Sequence, residues 1–344
     1  MYDFFKLNQK HYGQAFLYLR PLKMLEPVKI HKEYDALIEL LLSRGIEIPD
    51  REHAIRKITQ VGYYRLSGFW YPCRLPIVSS GKITGRQDIV RPGTNFRDIY
   101  DLYLFDKKLR LLMMNALERI EVFVRSVIAH EIGRNDPLAY LDNNFINPTH
   151  LQPRTNRTNP ISVRDEWLQK HEAELKKSRE ECICWHTKHY QGIPFWVAIE
   201  VWDFGLMSKY FAMLKDSYRN IILNRLGITS GNGAIFEKWL SAMNVLRNRC
   251  AHHSRIWNKL NEPKLKPMPN TQYFQDLGLD NDAYERMYGM IAVLWFLVKK
   301  IGPSSEWINQ VADLVDSKPR LVGCHLTAMG FPDNTGFPRA AFGI

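Results

Sequence analysis

The run "FRDIYDLYLFDKKLRLLMMNALERIEVFVRSVIAHEIG", residues 96–133, keeps a helical apolar period for nearly forty residues. Met113, Leu117, Ile120, Val124 and Ile128 fall on one stripe, with Arg119, Ser126 and His130 turned away from it. A stripe this long has to be buried against other helices, which points to a helical bundle. We expect two helices over this span. The rest of the chain agrees with it. "KEYDALIELLLSRGIEI" (32–48), "PFWVAIEVWDFGLMSKYFAML" (194–214), "AIFEKWLSAMNVLRNRCAHHSRIW" (234–257) and "YERMYGMIAVLWFLVKKI" (284–301) carry the same period. Strand signals are sparse and no repeat of fixed period is visible, so the expected fold class is mainly α.

Breaks in this pattern set the expected organisation. Residues 76–96, rich in Gly, Ser and Pro, read as a hairpin or a linker. They separate an N-terminal helical and aromatic module (1–90) from a helical domain (91–303), and 304–344 form a C-terminal tail. Residues 141–162 are a polar insertion with three prolines. "VRDEWLQKHEAELKKSREE" reads as a charged, exposed helix. "YYRLSGFW" (63–70) could be a short helix or an aromatic strand. The apolar run 290–298 is too short to span a bilayer and reads as a buried helix. "MYDFFKLNQKHYG" has no apolar core of the kind that a secretory signal requires.

Composition narrows the partner. The formal net charge is +11, with 45% hydrophobic and 12% aromatic residues. That is a chain able to bury a large core, with an excess of cations that favours a polyanion, nucleic acid before membrane. Five scattered cysteines make no disulfide framework, which is the usage of a reducing cytoplasm. Cys182, Cys184, His186 and His189 crowd "CICWHTKH", but C-x-C followed by H-x-x-H fits zinc spacing poorly. We expect no metal and no other cofactor.

The chemistry concentrates in "RNRCAHHSRIWN", residues 247–258, directly after an apolar-periodic run. On a continued helix Trp239, Met243, Leu246, Cys250 and Trp257 share one stripe. His253 falls near that stripe and reads as a partly buried core histidine. Asn248, His252 and Arg255, at i, i+4 and i+7, fall on the opposite face. An ordinary solvated face carries Lys and Glu; this one offers an amide, an imidazole and a guanidinium. Histidine moves protons near neutral pH, and arginine holds phosphate and offsets charge developing on it. Together they suit cleavage of RNA through the ribose 2′-hydroxyl without a metal. Arg247 and His252 stand roughly 140° apart around an ideal helix, so a phosphate would lie between them or two copies would combine, and we expect a homodimer.

Arg-x(4–6)-His spacing alone decides nothing, because Arg125/His130, Arg164/His171, Arg179/His186, Arg247/His253 and Arg320/His325 satisfy it too. Arg125 and His130 are either a second motif or support for the first, with Glu121 and Arg125 as an i, i+4 pair. Tyr63, Tyr64 and Arg65, followed by Phe69 and Trp70, are types that stack on bases. Such clusters more often belong to a core, with Arg65 as the exposed exception.

"RNRCAHHSRIWN" resembles the Arg-Asn-x-x-x-His motif of HEPN domains, in the form found in the Abi-like (AbiD/AbiF) abortive-infection family. "VGYYRLSGFWYP" (61–72), "ALERIEVFVRSVIAHEI" (116–132) and "PFWVAIEVWDFGLMSKYF" (194–211) agree with it in order. The resemblance spans most of residues 30–300. It implies a HEPN-type helical bundle, antiphage defence and metal-independent endoribonuclease activity. Carried over, Arg247, Asn248 and His252 are the catalytic residues, with His253, Arg255, Arg125 and His130 as auxiliaries. Arg65, Tyr63 and Tyr64 are RNA contacts. The implied partners are RNA, as substrate or as a regulatory noncoding strand, and a second copy of the chain. The rival reading is a non-catalytic protein that holds a small RNA.

Overall fold

Residues 96–133 form one unbroken helix rather than the two expected. Nothing between Arg97 and Ile132 is a glycine or a proline, so no residue interrupts the ladder until Gly133. Asn95 starts it by accepting a hydrogen bond from Asp98 N (2.9 Å), as an N-cap side chain should. At 1.5 Å per residue such a helix is about 57 Å long, the span of a whole domain.

The computed structural model describes residues 28–154 and 160–344. The opening stretch read for a secretory signal, and part of the polar insertion, lie outside the described residues. In chain order come α1 (Tyr34–Ser43), α2 (Arg51–Val61), α3 (Tyr63–Trp70), β1 (Arg74–Ser79), β2 (Lys82–Val90) and the long α4 (Phe96–Gly133). After the insertion follow α5 (Val163–Lys177), α6 (Glu181–His189), α7 (Phe195–Ala198), α8 (Phe204–Met213), α9 (Asp216–Arg225) and α10 (Gly233–Ala251). The chain closes with α11 (Gln272–Leu277), α12 (Asn281–Glu285), α13 (Met287–Ile301), α14 (Trp307–Asp316) and α15 (Arg339–Phe342). The protein is mainly helical, and β1 and β2 make the one sheet among the described residues.

The ambiguous "YYRLSGFW" is helix α3. Tyr63, Leu66, Phe69 and Trp70 are its buried side chains, and that spacing matches a helical face, not the alternation of a strand. Gly62, at φ 92°, makes the corner between α2 and α3 in a region that side chains disfavour. Residues 74–90 are a hairpin, turned by Ser80 and Gly81, both with positive φ, as a two-residue hairpin turn demands.

α4 is the axis of the bundle, packed by α3, α9, α10, α13 and α14. α13, whose apolar run is too short for a membrane, is buried over most of its length. Among the described residues no helix is long and apolar enough to cross a membrane. α5 is not simply solvated: Arg164, Trp167 and His171, at i, i+3 and i+7, are buried beneath its charged face. The Trp167 indole donates to Leu206 O (3.0 Å), which ties α5 to α8. The tail also packs inward. Trp307 Nε1 donates to Leu112 O of α4 (2.8 Å), and Cys324 Sγ lies 3.9 Å from Cys73 Sγ.

Candidate active site

α10 buries Phe236, Trp239, Leu240, Met243, Leu246 and Cys250 where it packs against α4 and α8. It then stops at Ala251, inside the motif. His253 N donates to Cys250 O (3.1 Å) and Ser254 N donates to Arg249 O (2.8 Å). These are the two reverse bonds of a Schellman end, which needs a left-handed residue between them. His253 supplies it at φ 56°, in a place that glycine usually takes.

This stop corrects two expectations. His253 is exposed, not part of the Cys250 stripe, because the chain has left the helix before reaching it. Arg255 is not on the face of Asn248 and His252. It turns inward, half-buried, with its guanidinium 6.0 Å from the centre of the Phe69 ring. Burial pushes the Arg255 pKa down, against the pull of Asp106 and Cys324. Its Nη1 is buried with no hydrogen-bond partner in the described structure.

Arg247 and Asn248 touch through their side chains, and His252 follows one turn later. Arg247 Nη1 reaches Asn248 Oδ1 (3.4 Å), and Asn248 O accepts from His252 N (2.9 Å). Asn248 and His252 are exposed and Arg247 is half-buried. An exposed imidazole thus follows the helix one turn after an exposed amide, and a half-buried guanidinium touches that amide. Such a set can exchange a proton and hold phosphoryl oxygens.

The loop that follows His252 is held from two sides, on one of them by Asp106 and Arg110, which the sequence alone did not single out. Asp106 of α4 is fully buried, and its Oδ1 accepts from both Ile256 N (2.9 Å) and Trp257 N (2.8 Å). Its Oδ2 pairs with Arg110 one turn on, and Arg110 Nη1 also points at Ser254 O (3.4 Å). Burial pushes the Asp106 carboxyl up, while Arg110 and the two backbone N–H groups pull it down. The signal was present: Ile99, Leu102, Leu109 and Met113 make an apolar stripe, and Asp106 is a carboxylate set within it. From the other side, Arg65 of α3 donates to His253 O (2.7 Å). The residue singled out as the exposed member of the aromatic module is therefore a brace for the motif.

The other candidates are dispersed. Tyr63 is largely buried and its hydroxyl accepts from Arg44 Nη1 (2.7 Å), so it belongs to the core rather than to a surface for bases. Tyr64 is 70% exposed. Arg125 donates to Trp202 O (3.0 Å) and pairs with Glu121 (3.6 Å), the i, i+4 pair read from the sequence. Burial pushes the Glu121 carboxyl up, and Arg125 and Arg247 both pull it back, so these two arginines share one acidic neighbour. His130 sits apart, exposed, in a pocket with Ser126, Arg134, Trp196 and Glu200. In α6, His186 Nδ1 and His189 Nδ1 lie 2.7 Å from the carbonyls of Cys182 and Trp185, contacts inside their own helix. Among the described residues no group of three or more His, Cys, Asp or Glu side chains is placed to hold a metal ion.

A mainly helical protein with a basic, amide- and imidazole-bearing helix end is the class that these features define. A family model described as Abi-like protein matches residues 56–258, more than half of the chain, from α2 to the end of the motif loop. The chain belongs to the Abi-like protein family, which points to a part in abortive infection. No curated protein and no solved structure gives a match.

Proposed function

We propose that this protein is a HEPN-type endoribonuclease that acts in abortive infection, cutting RNA without a metal. One observation carries the reading: α10 ends within the Arg-Asn-x-x-x-His run, so His252 is exposed at its end, one turn after Asn248, which Arg247 contacts. In the proposed reaction His252 takes the proton of the ribose 2′-hydroxyl or gives one to the leaving 5′-oxygen. Arg247 and Asn248 hold the phosphate and offset charge as the pentacoordinate state forms. The 2′-oxygen attacks phosphorus, the bond to the 5′-oxygen breaks, and a 2′,3′-cyclic phosphate remains.

A single copy supplies one motif histidine, His252, whereas this reaction uses an acid and a base. We therefore infer a homodimer in which two such edges face each other across a two-fold axis. Arg125, already paired with Glu121, supports the site and does not form a second one.

The test is cleavage of RNA by the purified chain and by His252→Ala. The expected result is loss of cleavage at unchanged thermal stability, with wild-type cleavage resistant to EDTA and ending in cyclic phosphate. Mixing Arg247→Ala and His252→Ala chains should restore part of the activity if the site is shared. Full activity of His252→Ala refutes the assignment. RNA that copurifies with an inactive wild-type chain would favour the rival role, a protein that holds a small RNA.

A further inference from the structure

A pocket of about 400 Å³ opens beside the motif loop, lined by Arg65, Phe69, Tyr103, His253, Ser254 and Arg255. No carboxylate is among these residues, and two guanidinium groups flank the aromatic floor. The edge of the pocket continues as a strip of rings. Tyr103 meets Phe69 edge-on at 5.6 Å, and Tyr100 lies 5.8 Å from Tyr103 at a tilt of 32°. His53 of α2 meets Tyr100 edge-on at 6.0 Å, and Lys57 Nζ stands 5.0 Å over the same ring. Tyr100, Tyr103 and Lys107, at i, i+3 and i+7, share one face of α4, and Lys107 is exposed. Both tyrosines are half-buried, packed in part against the core.

Rings alternating with cations along a track suit single-stranded nucleic acid, because each base has a face to stack and each phosphate has a charge to meet. A duplex hides its base faces and is read by shape and backbone. The strip also leads to His253, the neighbour of His252, which gives it a direction. We propose that single-stranded RNA lies along this strip, with bases on Tyr103 and Tyr100 and phosphates toward Arg65, Lys57 and Lys107, and so enters the His252 site.

The inference rests on the ribonuclease reading for the identity of its ligand, but its test does not depend on cleavage. Binding to the full wild-type chain is measured by fluorescence anisotropy with a labelled, 2′-O-methylated single strand, which has no 2′-hydroxyl to react. Tyr103→Ala and Tyr100→Ala should each weaken binding by about tenfold, within the range found for one stacked base. Tyr103→Phe, which keeps the ring and the packing against Phe69, should bind like the parent. A hairpin RNA of equal length should bind less tightly and lose little on either alanine change. Unchanged single-strand affinity in both alanine variants overturns the proposal, as does a loss in Tyr103→Phe equal to that in Tyr103→Ala. Retained cleavage by His252→Ala would instead remove the catalytic reading and leave these binding outcomes to be read as they stand.

Discussion

Removing the carboxylate of Asp106 should loosen the loop that presents His252, and two substitutions divide the effect into its parts. In Asp106→Ala the N–H groups of Ile256 and Trp257 lose their common acceptor inside the protein, and Arg110 loses its counter-charge. A buried donor left unsatisfied costs about 1–3 kcal/mol. Stranding one half of a buried ion pair costs about 3–5 kcal/mol. The losses share one carboxylate and overlap, so the sum is on the order of 5 kcal/mol, comparable with the whole stability of many domains. Asp106→Asn should cost less, because its Oδ1 can still accept from both N–H groups while its amide nitrogen faces Arg110. Adding Arg110→Met to Asp106→Asn should then recover stability, since the stranded cation is gone. Urea unfolding at constant m-value reads all three variants, and RNA cleavage reads the loop. An Asp106→Ala midpoint indistinguishable from wild type would refute the clamp. So would a double variant no more stable than Asp106→Asn.

Two further outcomes follow from the same geometry. His253→Gly should stabilise the protein by about 1 kcal/mol, because glycine enters the left-handed region without a Cβ penalty. At about 2 cal/mol/K per residue that is a rise of only about 1–2 °C in Tm, best read as a denaturation midpoint, and a fall in stability would mean the His253 side chain is held by contacts. His171, buried against Trp167 with its Nδ1 accepting from the Trp202 indole, has its pKa pushed down to about 4 by burial and by Arg164. The unfolded chain, with His171 near 6.5, binds a proton that the folded chain refuses. Stability from this group is therefore complete above the unfolded pKa and is lost as pH falls toward the folded one. The loss is roughly 3 kcal/mol. His171→Phe should flatten the stability profile across that window, and a slope equal to wild type would show that other groups set it.

What the chain determined locally was readable. The periodic stripes of α4 and α10 depend on residues close in sequence, whereas "YYRLSGFW" as helix or strand, and 76–96 as hairpin or linker, stayed open until the fold decided them. Side-chain spacing acts over one or two turns, so one sequence suffices to see such stripes. The trio Arg247, Asn248 and His252 was singled out by its resemblance to a motif, while helical spacing had grouped Arg255 with Asn248 and His252, which the fold does not. The expected break in α4 failed because no glycine or proline was there to cause one.

Tertiary structure decided the rest of the site. Nothing in "RCAHHSR" announces a helix stop, because His253 fills the left-handed position without being glycine or asparagine. The Ile256 and Trp257 N–H groups are taken by Asp106, about 150 residues earlier; the His253 carbonyl is taken by Arg65, 188 residues earlier. A helix that continued past Ala251 would keep its own backbone bonds, and periodicity assumes that it does. Here the partners supplied by α3 and α4 satisfy the freed loop groups instead. That exchange turns Arg255 inward and leaves His252 at the surface, a preference that depends on side chains distant in sequence and close only in the fold.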